Sequence, residues 1–318
     1  MFESVIGRAP ATPVAPIEEQ RPPTLSVGLA LGGGAARGWA HIGVLERLAE
    51  AGIAVDVIAG CSVGTVIGGC YAAGKLDRLT EFALSLTKRR VFGLMDFSLG
   101  GSGLIGGNRL NGMLEKELGD IRIEDLPLGF MCVATEFRTG HEIWLSRGHL
   151  VRAMRASYAL PGVFAPVRLN GRWLMDGALV NPVPVTLCRA LGARLVIAIN
   201  LSADVLSRGI VVPDQMLDED AGALSEAPTI AKPARRRAVA PDGPAPGLYS
   251  IMIDAFNIVQ DRITRSRLAG DPPDVTITPR LAPIGLFEFH RAAEAIALGR
   301  EATERALPHV LDAMAALS

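Results

Sequence analysis

The chain has 318 residues, 49% of them apolar and 20% charged, with 32 basic against 33 acidic side chains. That composition supports a sizeable core and excludes whole-chain disorder, and a net charge of −1 offers no basic stripe for nucleic acid. A mean hydropathy of +0.30 is high for a soluble enzyme and raises the question of a membrane segment.

Residues 1–24 carry Glu3, Pro10, Pro13, Pro16, Pro22 and Pro23 without an apolar run, which reads as a flexible Pro-rich tail and not as a signal peptide. Ser26–Leu31 is an apolar strand running into Gly32-Gly33-Gly34, and Trp39–Ala51 follows as a helix with Ile42, Leu45 and Leu48 on one face. Val55–Ala59 is a second strand and Val63–Ala73 a helix of small residues. The uncharged stretch Val57–Gly74 places Gly60, Gly64 and Gly68 four apart, the small-xxx-small spacing of membrane helix pairs. Ser62, Thr65 and the glycines leave too few large apolar side chains for a span of ~20 residues, so the stretch reads as a buried strand, a tight turn and a buried helix.

Leu76–Lys88 and Asn108–Leu118 have helical patterns. Phe92, Leu94, Met95 and Phe97, ahead of Gly100-Gly101-Ser102-Gly103, read as core packing in preference to a lid. Leu128–Glu136 and Glu142–Leu145 flank Thr139-Gly140 as a hairpin, and Val151–Tyr158 is a short helix. Val167–Leu169 and Arg172–Met175 flank Asn170-Gly171, a strong hairpin signal. Leu195–Asn200 is a buried strand. Residues 203–247 then break the pattern with Asp218-Glu219-Asp220, Arg235-Arg236-Arg237 and five prolines from Pro228 to Pro246, and read as a mobile insertion. Leu248–Leu268 is an amphipathic helix, Asp274–Thr278 a last strand, and helices close the chain from about Phe287. Strand–helix alternation predicts an α/β fold, a three-layer α/β/α sandwich around a central, mostly parallel sheet, with one domain over 25–318. Cys61, Cys70, Cys132 and Cys188 show no CxxC pairing and no metal-ligand spacing, and read as buried thiols.

Gly60-Cys61-Ser62-Val63-Gly64 is a GxSxG between a strand and a helix, the setting of a nucleophile elbow. Its glycines permit a sharp turn that presents the Ser62 hydroxyl at a helix N-terminus, where developing negative charge is stabilised. The Gly32-to-Gly38 loop presents backbone N–H groups that can cradle an oxyanion or a phosphate. It fails the dinucleotide pattern GxGxxG in both registers, and the second strand ends in Cys61 and Ser62 where a ribose-binding acid would stand. A serine needs a base. His290 and His309 lie in terminal helical patterns, and His41 packs beside the glycine loop. Asp176, at a strand end in Asp176-Gly177-Ala178, is the best-placed base.

Gly32-Gly33-Gly34-Ala35-Ala36-Arg37-Gly38-Trp39, the GxSxG, Ser157-Tyr158-Ala159-Leu160-Pro161-Gly162-Val163-Phe164-Ala165-Pro166 and Asp176-Gly177-Ala178 occur in that order. Together they resemble the patatin-like phospholipase family, in particular bacterial members similar to the catalytic domain of neuropathy target esterase. The resemblance covers about residues 25–200. It implies a serine acyl-ester hydrolase acting on phospholipids or lysophospholipids through a Ser–Asp dyad, with Ser62 as nucleophile and Asp176 as base. It also implies an oxyanion hole from Gly32, Gly33 and Gly34, with Gly33 and Gly34 supplying the N–H groups. Arg37, beside Gly38, is implied as a loop anchor ahead of a phosphate contact. Ala35 stands where the family's glycine run continues, and Ala178 replaces the last glycine of its DGG. The expectations that follow are a lipid ester substrate, no cofactor, no metal and no nucleic acid. The chain is expected in the cytoplasm with peripheral contact at a membrane. An acyltransferase using the same serine, or a lipid-binding regulator without catalysis, is the alternative, and the oligomeric state is not legible.

Overall fold

The central strands are buried at every residue, and their side chains alternate between two apolar clusters, which sets the layers. In the computed structural model, which describes residues 25–94, 103–105, 107–204 and 247–317, the elements run in chain order as follows. They are β1 (Val27–Leu31), α1 (Ala40–Glu50), β2 (Val57–Cys61), α2 (Val63–Ala72), α3 (Leu76–Leu84), α4 (Lys88–Leu94), β3 (Gly103–Ile105), α5 (Asn108–Leu118), β4 (Gly129–Glu136) and β5 (Glu142–Leu145). Then come α6 (Leu150–Ser157), β6 (Gly162–Phe164), β7 (Val167–Leu169), β8 (Arg172–Asp176), α7 (Val185–Ala190), β9 (Leu195–Ile199), α8 (Leu248–Gly270), β10 (Val275–Ile277) and α9 (Ala292–Leu317). Leu29, Leu31, Ile58 and Ile197 face one apolar cluster, shared with α1, α2, α6 and α9. Ala30, Val57, Ala59 and Val196 face a second cluster with α7, against which Phe256 and Leu268 of α8 also pack. A strand with apolar residues on both faces has to be covered on both, which yields the expected three-layer α/β/α sandwich.

The main sheet runs β10-β9-β1-β2-β4-β8-β7, with β5 also paired to β4. β10, β9, β1, β2 and β4 are parallel to their neighbours, and β5, β8 and β7 join antiparallel. The β7–β8 hairpin turns at Asn170 (φ 48°) and Gly171 (φ 80°), the paired positive-φ geometry that an Asn-Gly turn favours. β3 and β6 form a separate two-stranded sheet that the sequence pattern does not announce.

Two expected helices differ. Leu76–Lys88 breaks into α3 and α4 because Leu86 turns into the core at 6% exposure, and Thr87 Oγ1 then accepts from Arg90 N–H at 3.2 Å, capping the second helix. At the C-terminus a 3-10 turn at Phe289–Arg291 leads into a single helix, α9, with Pro308 inside it. Residues 1–24, residues 205–246 of the expected insertion, and Met95 and Phe97 lie outside the described residues. Among the described residues no helix is long and apolar enough to cross a membrane. The uncharged Val57–Gly74 stretch is β2, a turn and α2, each buried.

α1 and α9 pack in close contact across one face of the sheet. A Cβ on Gly43 would overlap the Ile296 carbonyl oxygen, and a Cβ on Gly299 would overlap that of Ala40, so the two backbones touch at a reciprocal pair of glycines. Gly43→Val is therefore expected to lower unfolding free energy by about 1–3 kcal/mol or more, because backbone on the facing helix cannot yield as a side chain can. The shift is read from the denaturant midpoint, and an unchanged midpoint contradicts this crossing.

Candidate active site

The sheet register alone brings the two key residues together. β2 pairs with β4 so that Cys61 lies opposite Val133, which places Ser62 level with Ala134. β8 pairs with β4 from the other side, and Asp176 lies directly opposite Ala134. Ser62 and Asp176 thus flank one residue of a shared central strand, two strand spacings or roughly 9–10 Å apart along the sheet. Their side chains close that gap: Ser62 Oγ donates to Asp176 Oδ2 at 2.7 Å.

Ser62 sits at φ 53°, ψ −122°, a left-handed conformation that costs a non-glycine residue of order 1–3 kcal/mol. The surroundings hold it there. A Cβ on Gly60 would fall 2.5 Å from Thr65 Cα, and one on Gly64 would overlap the Leu31 carbonyl oxygen, so strand and helix meet more closely than any other residue allows. Ser157, at the end of α6, accepts from the Ser62 N–H at 3.0 Å and pairs with Thr65 Oγ1 at 2.7 Å. This support by Ser157 is not apparent from the sequence, where the residue only opens the Ser157–Pro166 block. Asp176 is fixed at every polar atom. Its N–H donates to the Ala159 carbonyl at 2.9 Å, its carbonyl accepts from Thr135 Oγ1 at 2.8 Å, and its Oδ1 accepts from the Ala178 N–H at 2.8 Å. Gly177, between them, packs on the β4 backbone at Val133.

Burial pushes the Asp176 carboxyl up to about 6, against the hydrogen bonds from Ala178 and Ser62 that pull it down. The glycine loop divides its N–H groups in two. Gly32 N–H donates to the Ile199 carbonyl at 3.2 Å and Gly33 N–H to the Pro182 carbonyl at 3.0 Å. Gly33, one of the two expected oxyanion donors, is thus engaged together with Gly32 in holding the loop, and Gly34, the other, is not. The N–H groups of Gly34, Ala35 and Val63 donate to no acceptor among the described residues, and Ala35 and Val63 line the same cavity as Ser62. Ala35 itself holds a positive φ of 48°. Arg37 is 6% exposed and its Nε donates to the Ile284 carbonyl at 2.8 Å, which ties the loop to the segment before α9. Gly38 packs against Val63.

No histidine reaches the dyad among the described residues. His41 is fully buried, its Nε2 lies 2.8 Å from the Gly32 carbonyl, and burial lowers its pKa to about 4, so it is neutral and donates to the loop. His290 lies in the 3-10 turn before α9 and His309 is exposed on α9. A cavity of about 660 Å³ opens beside Ser62 and follows one face of α2 past Val63, Val66 and Cys70. Leu79, Phe82 and Phe164 close it from the other side. Ser62 to Cys70 spans eight residues of helix, roughly 12 Å at ~1.5 Å per residue. An extended chain advances roughly 1.2 Å per bond, judged from the ~3.6 Å covered by three backbone bonds, so about ten carbons fit along that stretch alone. α8 packs through Phe256 against the cluster that holds Ala178 and against Leu160 and Val163, which line the cavity.

With a pKa of 3.8 in the unfolded chain and about 6 in the folded one, Asp176 holds its proton more tightly when folded. Its contribution to stability is present below pH 4 and lost as pH rises through 6. Asp176→Asn is expected to be more stable than wild type at pH 7, by up to roughly 3 kcal/mol, with the difference shrinking at pH 4. Denaturant unfolding at the two pH values measures it, and a pH-independent difference contradicts the burial argument.

A family profile described as patatin-like phospholipase matches residues 29–189, from β1 through the glycine loop, the elbow and Asp176 into α7. An uncharacterized NTE family protein of Mycobacterium tuberculosis is 34% identical, covering 88% of this chain and 91% of its own. Lysophospholipase nte1 of Emericella nidulans is 35% identical over 193 residues, 56% of this chain and 12% of that longer protein. A crystal structure of VipD from Legionella pneumophila aligns with 90% of this chain and 67% of that one at 12% identity and a TM-score of 0.44, too remote to bear on function.

Proposed function

The chain belongs to the patatin-like phospholipase family, and from that premise we propose that it is a serine hydrolase cleaving fatty-acyl esters of phospholipids or lysophospholipids. Ser62 is the nucleophile and Asp176 the general base. The observation that carries this reading is the 2.7 Å hydrogen bond from Ser62 Oγ to a buried carboxylate, at an elbow whose conformation is otherwise costly. The name of the fungal relative, a lysophospholipase, points to the same ester class.

The steps balance around one proton. Asp176 Oδ2 takes the Ser62 hydroxyl proton as Oγ attacks the ester carbonyl, and the carbonyl electrons move onto oxygen. The N–H groups of Gly34, Ala35 and Val63 and the N-terminus of α2 stabilise that oxyanion. On collapse the carbon–oxygen bond to the alcohol breaks, Asp176 returns its proton to the departing alkoxide, and acyl-Ser62 remains. A water then gives its proton to Asp176 and attacks the acyl carbon. The Ser62 bond breaks, Oγ recovers the proton, and a fatty acid leaves. A carboxylate at its ordinary pKa is a weak base for this task, and burial brings it nearer the working pH. The apolar cavity along α2 takes the acyl chain. Contact with the lipid source is peripheral, through this cavity's mouth.

Ser62→Ala and Asp176→Asn are each expected to lower hydrolysis of a long-chain monoacyl phospholipid by roughly 10³-fold or more, as loss of a nucleophile or its base does elsewhere. Circular dichroism should remain near native. Fatty acid released in equal amount to alcohol identifies hydrolysis, whereas acyl groups appearing on an added alcohol identify transfer. Turnover within tenfold of wild type in either variant contradicts the proposed roles.

A further inference from the structure

α8 turns one polar side chain toward the nucleophile. Gln260 is only 5% exposed, yet its carboxamide makes no hydrogen bond among the described residues; only its backbone carbonyl is engaged, by Thr264 Oγ1 at 2.8 Å. Its position is marked by the space above Gly33. A Cβ built there would lie 3.2 Å from Gln260 Nε2, 3.4 Å from Ser62 Cβ and 3.6 Å from Ala178 Cβ. The carboxamide, the nucleophile and the segment after Asp176 thus surround one small gap that glycine leaves open.

This gap is not the acyl cavity. The cavity leaves Ser62 on the side of Trp39, Val63 and Val66, and neither Gln260, Gly33 nor Ala178 lines it. An ester with its chain in the cavity leaves its alcohol portion at Ser62, and Gln260 stands beside Ser62 outside the cavity lining. A carboxamide so nearly buried, with no protein partner and a little accessible surface left, is open to pairing with a ligand group that reaches it. It offers both a donor and an acceptor, whichever way the amide is turned. An ester or phosphate oxygen answers only the donor and an ammonium only the acceptor, whereas a hydroxyl answers both.

Resting on the hydrolase reading, we propose that Gln260 is a specificity-determining residue whose carboxamide pairs with a free hydroxyl on the alcohol portion of the ester, next to the bond that is cleaved. The recognised class is acyl esters of polyols that retain a hydroxyl beside the acylated oxygen.

The test compares 1-myristoylglycerol with propyl myristate, esters of one acyl chain that differ only in the hydroxyls, using the full chain and its Gln260→Met and Gln260→Glu variants. Wild type should favour the glycerol ester by about tenfold or more in kcat/KM, and Gln260→Met should reduce that preference about tenfold, since a site built to pair a hydroxyl discriminates against its absence. Gln260→Glu, which keeps the shape and the acceptor but loses the donor, should lower the preference in the same direction. Fluorophosphonate labelling of Ser62 reports that each variant is folded, and if one fails to fold the other carries the test. A preference unchanged in the folded variants, or a wild type with no preference, overturns the assignment of Gln260. Wild-type hydrolysis of neither ester while Ser62 is still labelled by the fluorophosphonate overturns the assignment of Gln260 alone, whereas loss of that labelling as well removes the hydrolase reading.

Discussion

One hydrogen bond links the ends of β2 and β8 across the strand that lies between them. Ser62 closes the parallel part at the end of β2, and Asp176 closes the antiparallel part at the end of β8, with β4 between them. The 2.7 Å contact from Oγ to Oδ2 exists only while both strands keep register on β4, since a slip of one residue would send either side chain to the other face. Much of the surrounding structure serves that register. Thr135, on β4, fastens the Asp176 carbonyl, Ala159 receives its N–H, and Ser157 secures the backbone of the nucleophile.

The chemistry follows from burial more than from the identity of the base. A carboxylate in water would be protonated too weakly to help a hydroxyl ionise, and the protein raises its affinity for a proton by removing water while retaining two hydrogen bonds to it. The one histidine beside the loop is moved by burial in the direction that keeps it neutral, and is used to fasten the Gly32 carbonyl. The loop shows the same division of labour. Its first two N–H groups are anchored to β9 and to Pro182, and that anchoring leaves the next two positioned and unengaged.

The sequence was most informative where local rules coincide with the site. The GxSxG between an apolar strand and a small-residue helix, the Asn-Gly hairpin and the aspartate that follows it are short-range signals, and the folded chain uses each in place. What was not legible depends on distant partners. Gly33 cannot be seen to donate to Pro182 from the loop itself, because the two are separated by most of the domain. Leu86 reads as a continuation of a helix until a core is there to receive it. Gln260 reads as one more polar position on an amphipathic helix, and acquires meaning only when α8 is laid across Gly33 and Ala178. The β3–β6 pair and the α1–α9 glycine contact likewise depend on tertiary approach.

The claim that a buried carboxylate alone activates Ser62 is tested most directly by the rate of fluorophosphonate modification as a function of pH, with the modified residue identified by mass spectrometry. The expected result is an adduct on Ser62 and a rate that rises through a single step near pH 6, where Asp176 loses its proton. A rate that does not change between pH 4 and pH 8, or an adduct on another residue, would contradict it.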